Sequence, residues 1–353
     1  MYRPLALLLF LLPIAVRADE SVKTLTPEQT RKAFLQMLDR PRVEPDVKDG
    51  PGLASGAIAT HSFTFASEKK RDGAIERVPV LLVRPAKEGR YPVMIALHGT
   101  GGKKEDMKSW LNDLAQKGII GVAIDARYHG DRSGGAKGSA AYVAAITNAW
   151  KAPNEEMEHP FYYDTVWDLW RLIDVLEKRS DVDPKRIGMM GISMGGIQTW
   201  LAASVDERVA VAMPLIGVQS FRWSLDHDKW QGRANTIKGA HEAAAKDLGE
   251  PMVNGKVCKQ LWNKVIPGIL DEFDCPNMLK LMAGRPLYIA NGTEDGNCPI
   301  EGARIAIRAA EAAYDKAGAQ DKLKVSIANG VGHKVTDEQK AEALAFCEKW
   351  LKP

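Results

Sequence analysis

The stretch from Arg186 to Gly196, "RIGMMGISMGG", decides how this chain folds. An apolar run ends at one serine, Ser193, set between Gly191 and Gly195, and "GGIQTWLAAS" then continues as a helix. A serine on a strand-to-helix turn with a glycine two residues to either side is the pattern of a nucleophile elbow. Such a turn holds its serine in strained backbone geometry, and the glycines keep side chains out of a crowded space. The helix N-terminus that follows favours negative charge forming beside the serine. A glycine-rich βα turn with an idle serine has the same five letters, so the rest of the chain must discriminate.

Working outward, "YPVMIALHG", "GIIGVAID", "RVAVAMPLIG", "RPLYIANG" and "KLKVSIANG" are further short apolar runs bounded by turns. Buried parallel strands read this way. Helical segments separate most of them; in "YDTVWDLWRLIDVLEKR", Val166, Leu169, Trp170, Ile173 and Leu176 recur at helical spacing, which makes the tryptophans core residues. Upstream, "HSFTFAS" and "RVPVLLVRP" predict an antiparallel pair at a sheet edge. Alternating strands and helices with right-handed crossovers give an α/β fold, a mostly parallel doubly wound sheet. The interval of about 218–285 is too long for a simple connection and contains helix-like "GAHEAAAKDLG" and "KQLWNKVIPGILDEF". It predicts a helical cap insertion over one end of the sheet, with Trp223 and Trp230 as candidate substrate-binding residues and packing on the core as the alternative.

A serine hydroxyl is a weak nucleophile without a general base, and the base needs a carboxylate to orient it. Asp295, in "YIANGTEDGNCP", and His333, in "IANGVGHKVT", follow the last two predicted strands in the order Ser, Asp, His. Loops at strand C-termini converge on one edge of such a sheet, so the three can meet. Glu294 is the rival acid. Acyl transfer also needs donors aimed at a developing oxyanion. The turn His98-Gly99-Thr100-Gly101-Gly102 ends one strand, and the backbone N–H groups of Thr100 and Met194 are the candidate pair. The same turn lacks G-x-x-x-x-G-K-[ST], which excludes a phosphate-cradling P-loop. No metal or organic cofactor is required.

The pieces "HGTGG", "AIDARYHGDR", "DVDPKRIGMMGISMGG", "NGTEDGNCP" and "GVGHKVT" resemble the α/β-hydrolase superfamily, in particular its dienelactone hydrolase, acetyl xylan esterase and prolyl oligopeptidase-like branch. The resemblance spans roughly Pro79 to the C-terminus. It implies Ser193 as nucleophile, Asp295 as acid, His333 as base and oxyanion donors at Thr100 and Met194. Dienelactone hydrolases use cysteine where this chain has serine, and the few residues before the core leave no room for the propeller of prolyl oligopeptidases. The implied activity is a serine hydrolase cleaving carboxylic esters, including acyl esters of carbohydrates, through an acyl-enzyme. A serine peptidase and a catalytically silent hydrolase-fold binding protein are the alternatives.

The start, "MYRPLALLLFLLPIAVRADE", has a basic residue, an apolar run and small residues near Ala18, the pattern of a cleaved signal peptide over residues 1–18. Its apolar run is shorter than the roughly 20 residues of a spanning helix, so no stable membrane insertion is expected after cleavage. The expected location is periplasmic or secreted. Residues 19–55 then read as an N-terminal arm and linker, with Thr26 capping a short helix ahead of Pro27 and Gln29, and 56–353 as the catalytic domain. An exported chain makes its four cysteines candidates for disulfides. Of three possible pairings, the neighbouring one joins Cys258 to Cys275 and Cys298 to Cys347. A net charge of +3, with basic residues dispersed, excludes a nucleic-acid footprint, so a small-molecule or carbohydrate ester is the expected partner.

Overall fold

In the computed structural model, which describes residues 25–135, 138–153 and 158–352, each of those apolar runs is a strand. The elements in chain order begin with α1 (Pro27–Leu38), β1 (Lys48–Ser55), β2 (Ile58–Lys69), β3 (Ile75–Pro85), β4 (Tyr91–Leu97), α2 (Lys108–Gln116) and β5 (Ile120–Ile124). Then come α3 (Ala140–Lys151), α4 (Tyr163–Leu176), β6 (Val182–Ile192), α5 (Met194–Val205) and β7 (Val209–Leu215). The cap region holds α6 (Phe221–Asp226), α7 (Gln231–Asn235), α8 (Lys238–Asp247), α9 (Gly255–Val265) and α10 (Cys275–Leu279). The chain closes with β8 (Leu287–Gly292), α11 (Ile300–Lys316), β9 (Leu323–Ala328) and α12 (Asp337–Leu351). Residues 1–18, the expected signal peptide, lie outside the described residues.

The strands form one sheet in the order β1-β2-β3-β5-β4-β6-β7-β8-β9. The junctions from β1 to β5 are antiparallel and those from β5 to β9 parallel. Strand pleating sorts the core into two layers. Along β4, Val93, Ile95 and Leu97 face the layer shared with α4, α5 and α11, while Met94 and Ala96 face α2 and α12. The segment 48–55, which carries no strand signal, nonetheless pairs with β2 as a fully exposed edge strand with a bulge between Asp49 and Gly52. The arm helix starts where its capping box places it, with Gln29 N–H on Thr26 Oγ1.

Helix α4 is buried along nearly its whole length, including Asp168, which no amphipathic pattern foretells. Its carboxylate is paired bidentately by Arg127 (2.7 and 2.9 Å) and bonded by Arg132 (2.8 Å), so the buried charge is compensated. Trp167 and Trp170 pack in the same layer and bond backbone carbonyls of Ser67 and Ala202.

The insertion between β7 and β8 folds as helices. In α9, Val257, Leu261, Trp262 and Val265 form its buried stripe, and Trp262 Nε1 donates to His241 Nε2 on α8 (3.0 Å). Helix α3 joins the cap from the other side, with Trp150 Nε1 on Asp247 (3.0 Å) and Lys264 Nζ on Ala152 O (2.9 Å). Asp274 ties the root of the insertion together by accepting from the N–H groups of Phe221 and Cys275, each at 2.8 Å.

The disulfide expectation is corrected. Cys258, Cys275, Cys298 and Cys347 are four separate, buried thiols. Cys347 sits in α12 within the layer beside Leu351 and Ala343, whereas Cys298 bonds the Ile216 carbonyl (3.3 Å) at the end of β7. Cys258 and Cys275 pack among the apolar side chains of the cap as small hydrophobes. Burial pushes the thiols of Cys258, Cys298 and Cys347 up to about 12.

Candidate active site

The elbow is strained as its sequence requires. Ser193 has φ +56° and ψ −111°, caps α5, and donates its N–H to Leu215 O (2.9 Å). A non-glycine residue at positive φ persists only where its surroundings over-determine it. Close backbone approach supplies that constraint: a Cβ on Gly191 would lie 2.2 Å from Gly195 O, and one on Gly195 2.5 Å from Leu97 O.

The turns after β8 and β9 meet backbone to backbone. Glu294 N–H donates to Val331 O (2.9 Å), and a Cβ on Gly292 would lie 2.2 Å from the same oxygen. This contact brings the two distant loops to the elbow. His333 Nδ1 is 2.8 Å from Asp295 Oδ2 and His333 Nε2 is 2.7 Å from Ser193 Oγ. Because the carboxylate only accepts, Nδ1–H donates to it, and Nε2 is left to accept from the serine hydroxyl. Asp295 Oδ1 accepts from the N–H groups of Asn297 (2.8 Å) and Cys298 (2.9 Å). Burial alone would raise the Asp295 carboxyl, but His333 and those two N–H groups hold it below the usual carboxylate range. Asp295 is 3 % exposed, while the side chain of Glu294, the rival acid, faces solvent.

Met194 is the first residue of α5, where backbone N–H groups lack intrahelical partners. Thr100 belongs to the turn after β4, which lies against the elbow: a Cβ on Gly99 would be 3.7 Å from Ser193 Cβ. His98, which has no reading in the sequence beyond a histidine after a strand, splints this turn. It accepts the Ala126 N–H at Nε2 (3.1 Å) and donates from Nδ1 to Gly99 O (2.8 Å). Burial lowers its pKa, which favours the neutral ring that both bonds need.

The cap tryptophans do not join the three. Trp223 stacks on His227, with ring centroids 4.4 Å apart, and lines a surface pocket with Arg222 and Leu270. Trp230 donates to Asp228 (2.6 Å) and lines a different pocket of about 640 Å³ with Lys238, His241 and Met252. Neither lining includes Ser193, Asp295 or His333.

Asp295, Cys298 and His333 offer ligand atoms within 4.8 Å of one another. Their chemistry suits proton handling better than a cation: Asp295 and His333 are bonded together, and Arg233 Nη2 is 3.2 Å from the neutral Cys298 sulfur. The whole arrangement can deprotonate a hydroxyl, hold the resulting imidazolium and offer N–H donors beside the attacked carbon.

The acetyl xylan esterase family model, AXE1, matches residues 55–221. Among curated proteins, the chain is 27 % identical over 290 residues to "Putative hydrolase YtaP" of Bacillus subtilis, covering 78 % of this chain and 84 % of that one. It is also 27 % identical over 193 residues to 4-O-methyl-glucuronoyl methylesterase 1 of Sodiomyces alcalophilus, covering 52 % of this chain and 37 % of that one. Among solved structures, acetyl xylan esterase 1 from Thermoanaerobacterium superposes with a TM-score of 0.65 at 21 % identity, covering 93 % of this chain and 95 % of that one, a likeness of fold. No helix among the described residues is long and apolar enough to cross a membrane.

Proposed function

We propose that this chain is a carboxylic ester hydrolase of the α/β-hydrolase branch that includes the acetyl xylan esterases, and that it cleaves acyl esters of carbohydrates through an acyl-enzyme on Ser193. His333 Nε2 takes the proton from Ser193 Oγ as the oxygen attacks the ester carbonyl carbon. Negative charge moves to the carbonyl oxygen, where the N–H groups of Thr100 and Met194 receive it. His333 then gives its proton to the departing alcohol oxygen, and the C–O bond breaks. A water attacks the acyl carbon in turn, passes a proton to His333, and the acid leaves as the serine regains its hydrogen. Asp295 holds the ring in the tautomer that leaves Nε2 free and stabilises the charged ring between steps.

The observation that supports this most is the unbroken chain of hydrogen bonds at 2.7 and 2.8 Å from Ser193 Oγ through His333 to Asp295. The family match over 55–221 and the methylesterase relative favour a sugar-borne ester. Export on the leader of residues 1–18 belongs to the same reading, because it would bring the site to esterified carbohydrate polymers outside the cell. A fluorophosphonate should label the wild type at Ser193 and leave Ser193→Ala unlabelled. An ester panel including acetylated sugars should show turnover that Ser193→Ala lacks. Turnover retained by Ser193→Ala would end the proposal.

A further inference from the structure

Behind Asp295, on the side away from His333, the cap reaches into the site. Arg233 of α7 is 1 % exposed, and among the described residues it forms no ion pair. A buried guanidinium is costly unless its donors are satisfied. Its Nη2 donates to Asn297 O (3.1 Å) and to Cys298 Sγ (3.2 Å), and its plane lies over the Phe221 ring, 5.8 Å from the centroid. With the Gln219 amide turned so that both its ends are satisfied, that side chain accepts from Arg233 Nε (3.2 Å) and donates to Asn297 O (3.1 Å). Cys298 continues the path, its Sγ donating to Ile216 O (3.3 Å), on a residue at φ +45° just past β7. Asn297 and Cys298 are the two residues whose N–H groups fix Asp295 Oδ1.

The neighbouring residue makes the contact tighter. A Cβ on Gly232 would lie 1.9 Å from Gly296 O, so the start of α7 is seated on the backbone of the acid turn itself. Two consecutive cap residues thus grip the three residues that follow Asp295, one by close approach and one by buried hydrogen bonds.

We propose that Arg233 is a positioning residue for the acid of the triad: through Asn297 and Cys298 it sets the orientation of Asp295, so the cap is required for turnover and not only for choosing substrate. The inference rests on the reading of Asp295 as the triad acid. Arg233 touches no reacting atom. Its effect passes through the carboxylate that aligns His333.

The test is a double-mutant cycle on a small acetate ester, with kcat expressed per active site titrated by a fluorophosphonate. Arg233→Met is expected to lower kcat at least roughly tenfold while KM changes less than about twofold, and Arg233→Lys to recover part of the loss. In an Asp295→Asn background the same Arg233→Met change should cost less than about twofold more, because residues acting through one another are not additive. If Arg233→Met does not fold, Arg233→Lys and Gly232→Ala carry the same cycle. A full additive loss, or a change confined to the number of titratable sites, overturns the inference alone. Asp295→Asn with wild-type turnover overturns the triad reading and the inference with it.

Discussion

Replacing Asp295 by asparagine is the perturbation whose outcome the geometry specifies most closely. The side chain keeps its volume, and the N–H groups of Asn297 and Cys298, 2.8 and 2.9 Å from Oδ1, demand an acceptor there. They fix the asparagine carbonyl in that position, which turns its NH₂ group toward His333 Nδ1, 2.8 Å away. Facing a donor, Nδ1 must accept, so the ring proton moves to Nε2 and points at Ser193 Oγ. A ring in that tautomer cannot take the serine proton. In serine proteases the equivalent change lowers kcat by about 10⁴, or about 5.4 kcal/mol of barrier. Allowing for differences between folds, we expect a fall of at least roughly a hundredfold in kcat, with little change in melting temperature. Glu294→Gln, on a solvent-facing side chain, should change kcat only a fewfold. The assay is steady-state hydrolysis of one chromogenic ester at neutral pH on folded, active-site-titrated variants. The reverse ranking would transfer the acid role to Glu294 and refute the argument from the two backbone donors.

Other expectations follow from the fold. The four thiols should resist an aromatic disulfide reagent in the native state and all react after denaturation, with activity unchanged by dithiothreitol; two thiols missing under denaturing, non-reducing conditions would contradict the free cysteines. Arg127→Met strips the bidentate partner from Asp168 and should cost about 3–5 kcal/mol in denaturant unfolding; a loss below about 1 kcal/mol would mean that Arg132 alone suffices. Burial opposes ionisation of Asp168, but Arg127 and Arg132 hold its carboxyl well below the ordinary 3.8, so the stabilisation it brings is present at neutral pH. It should disappear as pH falls below that unfolded value toward the folded one, and a stability loss already complete at pH 5 would need another group. Trp230 lines a pocket that excludes the triad, so Trp230→Ala should change turnover of long sugar esters and of a small acetate alike, whereas a loss confined to the long esters would place Trp230 on the path of the sugar chain.

The parallel strands were readable because a strand covered on both faces must be apolar throughout, as in "RPLYIANG". The proposed triad was readable because Ser193, Asp295 and His333 each lie in the turn that follows a strand, and the fold collects those turns at one edge. Strand β1 was not, since all eight of its residues are exposed and leave no periodic trace. Arg233 was hidden for a different reason. A charged residue in a short cap helix reads as solvent-facing, and its burial arises from tertiary contacts, with Phe221 and Gln219 before it and with Asn297 and Cys298, 64 and 65 positions further along. The cysteines misled because an even count in a chain with an export-like leader favours pairing, while pairing itself depends on distances that only packing decides. His98 sat in plain view within the turn after β4, yet its task depends on the Ala126 N–H, contributed by the loop after β5.

The bulge in β1 reaches beyond its local geometry. An open sheet offers each outer strand as a template for another chain, and long flat edges invite self-association. At one end of this sheet Pro51 has no N–H to offer, and the register shift between Asp49 and Gly52 breaks the regular row of backbone groups. At the other end β9 carries Lys324 toward solvent, paired to Glu342 at 3.2 Å. One margin is blunted by backbone shape and the other by charge. Growth of the sheet by addition of like strands is thereby discouraged at both margins, which leaves the folded protein without a long regular edge on which a second copy could add.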